Sequence, residues 1–187
     1  MNAGAQGKSL TGFELNYEDV EVGDHFETPS REVTVAVIEA FAEMTGDRFE
    51  IHMSDEAALR HGFPARVAHG LLVLSLVDGL KNNAVARFRA VASLGWTWRF
   101  SAPVLAGDAI KAEVTVADKR TTHDPARAIL RLRFVVNNQW GRAVQEGENE
   151  LMIYRREFPS APKVEVHAPD LKDQSPSGPK RKPPPRR

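Results

Sequence analysis

Apolar residues along this chain change their spacing twice, and the two changes divide it into a helical first half and a strand-rich second half. Val37, Ile38, Phe41 and Ala42 recur on one face at helical spacing, with Thr34 before them as a candidate N-cap and Thr45-Gly46 after them as a stop. A strand is expected before this helix, from His25 to Val35. Ser54 followed by Asp55 and Glu56 marks a second, short helix, because both acids suit the positive end of the helix dipole; Gly62 and Pro64 close it. From Ala68 to Leu80, Leu71, Leu72, Val73, Leu74, Leu76, Val77 and Leu80 surround the axis on every side, which predicts a buried helix that other elements must wrap.

The period then becomes two. Leu94, Trp96, Trp98 and Phe100 alternate with polar residues, as do Ile110, Ala112, Val114 and Val116, then Leu130, Leu132, Phe134 and Val136, with a last strand near Glu148 to Tyr154. Turns at Pro103, Gly107-Asp108, His123-Asp124-Pro125 and Gln139-Trp140-Gly141 separate these runs. A strand, three helices and four strands in that order predict an α+β domain in which an antiparallel sheet packs its apolar face on one long central helix.

Composition narrows the picture. The chain has 187 residues, enough for one domain with a core but not for two large ones. It has no cysteine, so a disulfide framework, a thiolate nucleophile and a cysteine-ligated metal are excluded, in keeping with a cytoplasmic location. No apolar run is long enough to cross a membrane, and the first residues lack a secretory profile, so an unexported protein is expected. The formal charge is zero, but residues 159 to 187 carry seven Lys/Arg against three Asp/Glu and eight of the twelve prolines. That segment, ending K-R-K-P-P-P-R-R, has almost nothing to bury and is expected to be a disordered Pro-rich basic tail; residues 1–12 are expected to be loose. No aromatics are interleaved with the basic residues for stacking on bases, so a nucleic-acid partner is not expected.

Candidate chemistry sits where the helices end. Asp47 and His52 follow the stop at Gly46, and a carboxylate with an imidazole on one short loop can move a proton to or from water. Ala68-His69-Gly70 opens the apolar helix, whose first turn offers free backbone N–H groups. His52, His61 and His69 lack the spacing that puts two ligands on one helical face, so no metal is expected. No Gly-rich phosphate loop is present, and neither a nicotinamide nor a flavin cofactor is implied. Arg66 has the guanidinium geometry to meet a phosphate. Trp96, Trp98 and Phe100 read as a core-facing row, one of which could line an acyl pocket.

The runs F-A-E-M-T-G-D-R-F-E-I-H-M, R-V-A-H-G-L-L and R-F-S-A-P-V-L-A-G-D resemble the MaoC-like dehydratase and (R)-specific enoyl-CoA hydratase family over about Tyr17 to Tyr154. The resemblance implies a hotdog fold for residues 13–158, a curved antiparallel sheet wrapped around a central helix. It also implies a site in which Asp47 and His52 hold a water, either serving as acid or base, and the Gly70 N–H stabilises the thioester oxyanion. Phe49, Arg66, His69 and Asp78 become candidates for substrate binding. The substrate implied is an acyl-CoA or acyl-carrier-protein thioester, and the assembly a homodimer or higher homo-oligomer with sheets joined edge to edge.

Two departures bear on the substrate. Phe49-Glu50 replaces the hydratases' Asn-Pro and is similar to the loop of phenylacetate-degradation hydratase-type domains. Asp78 stands where relatives often have a small residue and could instead pair with Lys81. A thioesterase or ring-opening hydrolase, and a non-catalytic acyl-thioester-binding subunit, are the alternative expectations.

Overall fold

The computed structural model describes residues 7–156, and the expected basic tail lies outside the described residues. Helix α1, Val35–Thr45, starts where Thr34 Oγ1 accepts the Val37 N–H at 3.3 Å. It ends where Gly46 takes the left-handed conformation, φ 77°, and donates to Ala42 O. Helix α2, Asp55–Arg60, is capped in the same way by Ser54, which accepts the Ala57 N–H. Helix α3, Gly70–Asn82, is the long central one.

Eight strands complete the fold of the described residues. They are β1 (Gly12–Leu15), β2 (His25–Glu27), β3 (Arg31–Glu32), β4 (Ala86–Phe88), β5 (Ala90–Phe100), β6 (Ala109–Thr121), β7 (Arg127–Asn138) and β8 (Ala143–Tyr154). The main sheet runs β2-β6-β7-β8-β5, with β3 also on β6, and every pairing in it is antiparallel. Its register stacks inward positions in rows. Ala112 pairs with Val136, Val136 with Gln145 and Gln145 with Phe100; the next row is Val114, Phe134, Gly147 and Trp98. Ala112, Val114, Phe134 and Val136 of these rows meet Leu72, Val73 and Val77 of α3 in one buried cluster. Complete burial of each such aliphatic side chain stabilises the fold by about 1.5–3 kcal/mol.

Three expectations change, and one pairing was not expected at all. The strand expected from His25 to Val35 is two short ones, because Pro29 has no N–H to offer a ladder and Thr28 uses both its N–H and its hydroxyl on Ala112. β1 and β4 pair in parallel as a separate ribbon that the alternation pattern did not reveal. Residues 8–10 are tied down rather than loose, since His25 N donates to Lys8 O, Leu10 N donates to His25 O and Leu10 is buried. The central helix is not enclosed on every side: Leu71 is 61% exposed, and on the sheet's β5 edge Leu94 and Phe100 are about half exposed. The described residues contain no helix long and apolar enough to cross a membrane.

Candidate active site

Local geometry after α1 delivers the acid and the imidazole. Past Gly46 the chain turns at Asp47, whose Oδ1 accepts the Phe49 N–H at 3.3 Å. A single 3-10 turn, Glu50–His52, then carries His52 inward, where it is only 9% exposed. His52 Nδ1 lies 2.7 Å from Val67 O. A carbonyl only accepts, so Nδ1 carries the proton and Nε2 presents a lone pair. Burial holds the His52 pKa below the ordinary imidazole value, and the neighbouring His69 pushes it the same way; the Val67 carbonyl and the Asp47 carboxylate act in the opposite direction.

His69 binds this arrangement together. Its Nε2 donates to the backbone carbonyl of Asp47 at 2.9 Å, and its ring stacks on that of His52 with centroids 3.8 Å apart. The Asp47 carboxylate and one nitrogen from each ring lie within 4.8 Å of one another. The two ring planes differ by 28°. Three potential ligand atoms this close could share one water or one cation. His69 Nδ1 is buried without a partner among the described residues.

Gly70 begins α3 directly after His69, which makes no side-chain cap, so the first N–H groups of the helix are free to bind an oxyanion. A Cβ at Gly70 would come within 2.6 Å of the Phe100 ring, so only glycine lets that ring lie against the helix start. Beside it opens a cavity of about 350 Å³, lined by His52 and Gly70 together with Phe63, Phe100, Val104 and Gln145 among others. Asp47 is exposed and, like His69, does not line this cavity, but its carboxylate lies within 4.8 Å of a His52 nitrogen; with the imidazole's free lone pair, the bare helix start and the largely apolar chamber, it can add a water across a polarised double bond.

The remaining candidates stand further out. Phe49 is 54% exposed and turns its edge to His52, ring centroids 6.1 Å apart. Arg66 pairs with Glu39 at 2.7 Å, and Asp78 pairs with Lys81 at 2.7 Å; neither lines the cavity. Glu50, between the acid and the imidazole, is pinned by Arg60 and His61 of the α2 end, which hold its carboxyl below the usual range. Sequence reasoning missed Phe63 and Gln145. No sequence signal marked either, whereas Phe100 was visible as one of an aromatic row.

The family profile of the MaoC-like domain matches residues 18–133. A 3-hydroxybutyryl-CoA dehydratase of Methylorubrum extorquens is 38% identical over 104 residues, which are 56% of this chain; the chain spans 65% of that relative's length. The solved MaoC-like dehydratase of Rhodospirillum rubrum is 27% identical with a TM-score of 0.71, covering 77% of this chain and 99% of that one. A Mycobacterium tuberculosis protein with a double hotdog fold superposes with a TM-score of 0.69 at 21% identity, covering 81% of this chain and 47% of that one.

Proposed function

The chain belongs to the MaoC-like domain family, and on that premise we propose that it adds water to, or removes it from, a 2-enoyl or 3-hydroxyacyl thioester of CoA or an acyl carrier protein. The observation that carries this reading is the His52 imidazole, its Nδ1 spent on Val67 O, grouped with the Asp47 carboxylate next to the uncapped start of α3. In the hydration direction, His52 Nε2 takes a proton from a water whose oxygen bonds to C3. The C2–C3 π electrons move toward the thioester oxygen, where the Gly70 N–H meets the developing charge. His52 then returns its proton to C2, and the ring is neutral again. Asp47 holds the water's second hydrogen and balances the transient imidazolium. The names of the M. extorquens and R. rubrum relatives, both dehydratases, support the reaction class.

The assembly proposed is a homodimer. This chain matches about half of the double-hotdog M. tuberculosis protein, and its own open β5 edge and exposed Leu71 leave room for a second copy. Light scattering on the full chain tests this, and a monomer at working concentration overturns it.

Activity is tested with 2-enoyl-CoA esters of several chain lengths, following the conjugated double bond and free thiol together. Loss of conjugation without thiol release is the expected result. Thiol release assigns a thioesterase instead, and acyl-CoA binding without either change assigns a binding subunit.

A further inference from the structure

The interior of the sheet contains one polar connection that the proton-handling groups do not explain. Gln145 on β8 is 2% exposed, yet both ends of its amide are used: Oε1 accepts Trp98 Nε1–H at 2.8 Å, and Nε2 donates to the carbonyl of Gly70 at 3.1 Å. A buried amide in an apolar core is costly unless fully bonded, and here the bonding joins the sheet to the first residue of α3. The register shows how this is arranged. Phe100 lies directly across from Gln145, so one cross-strand pair grips Gly70 from two directions, with the Phe100 ring against its Cα and the Gln145 amide on its carbonyl. One row along, Trp98 lies across from Gly147. A Cβ there would fall 2.4 Å from the indole, so the missing side chain lets Trp98 lie across β8 and reach Gln145.

We propose that Gln145 is a positioning residue for the oxyanion donor: oriented by Trp98, its amide sets the carbonyl of Gly70 and with it the direction in which the first N–H groups of α3 face the cavity. The inference rests on the hydratase reading for its kinetic consequence but not for its geometry. Accepting a hydrogen bond also polarises the Gly70–Leu71 peptide, which strengthens the Leu71 N–H as a donor at the same helix start.

The experiment compares Gln145→Met, which keeps length and removes both bonds, with Trp98→Phe, which removes the indole N–H together with part of the ring, and with the double variant, all in the full chain. For Gln145→Met, kcat on a 2-enoyl-CoA should fall by about tenfold or more, below the 10²–10³ of losing an oxyanion donor outright, with KM little changed. Trp98→Phe should lose less, and the double variant no more than Gln145→Met alone, because both act through one connection. Gln145→Glu should recover relative to wild type as the pH is lowered, since only a protonated carboxyl can donate to the Gly70 carbonyl. Independently of activity, the Leu71 amide resonance should move upfield in Gln145→Met and less in Trp98→Phe. An unchanged kcat in an active enzyme, a loss in KM alone, or an unmoved Leu71 amide would each overturn the proposal. A wild-type chain that fails to hydrate any enoyl ester overturns the hydratase reading, and the Leu71 resonance then decides the role of Gln145 alone.

Discussion

The imidazoles of His52 and His69 lie face to face, 3.8 Å between centroids, and each spends one nitrogen on a backbone carbonyl: His52 on Val67, His69 on Asp47. Burial disfavours a charge on His52, and the neighbouring His69 disfavours it further. The pair therefore holds a neutral imidazole at His52 over a wider range of pH than a solvated histidine would.

That direction sets the acid limb of activity. Hydration should persist below the ordinary imidazole value of about 6.5 and fall only as pH drops through the lower value of folded His52. Stability follows with a definite sign. Between the lowered folded value and the ordinary unfolded one, the unfolded chain binds more protons, so stability declines as pH falls through that window and levels off below it. A pH–rate profile and denaturant melts across the same range check both. A rate that falls off already above the ordinary imidazole pKa would contradict the assignment.

Asp47→Asn separates chemistry from folding. Asparagine retains the carbonyl that His69 grips and an oxygen for the Phe49 N–H, but not the negative charge. The turnover rate should fall by about 10²–10⁴ while the near-UV circular dichroism stays that of wild type. Retained turnover would remove Asp47 from the mechanism.

Gly70→Ala should damage the protein twice. The new methyl meets the Phe100 ring, an overpacking worth about 1–3 kcal/mol, and it tilts the donor at the helix start. Adding Phe100→Ala should return much of the lost stability measured by urea titration, without restoring full turnover. A fully stable single variant would argue against the close packing of that ring.

Thr34→Ala tests a part of the fold outside the site. Loss of the cap on α1 should cost about 1 kcal/mol. That corresponds to about 2–4 °C in melting temperature for a chain of this size. Hydration assayed well below the transition should be unaffected.

Much of this was legible in the chain. Thr34, Gly46 and Ser54 marked helix ends because capping is local chemistry between near neighbours, and the rows from Ile110 and from Leu130 marked β6 and β7 because their inward positions are apolar. The first half of β8 was not legible for the opposite reason. Its inward residues are Gln145, Gly147 and Asn149, which are no more apolar as a row than Glu146, Glu148 and Glu150 between them. Each answers a partner distant in sequence: Gln145 meets Gly70 and Trp98, Gly147 yields to Trp98, and Asn149 bonds Ser93 and the Gly95 carbonyl. In the site, Asp47 and His52 were recognisable by spacing. The pairing of Arg66 with Glu39 depended on how α1 packs, which no spacing encodes.

The bond from Gln145 to Gly70 spans 75 residues, while Asp47 and His52 are five apart. Contacts between distant parts of a chain form late in folding, because closing the loop costs entropy before the contact repays it. The acid–base pair needs only the partners between residues 47 and 69, whereas the oxyanion arm waits for the final strand to dock. Catalytic competence becomes a report on the last stage of folding: a refolding chain should recover its helical signal first and its turnover only when β8 has closed the sheet.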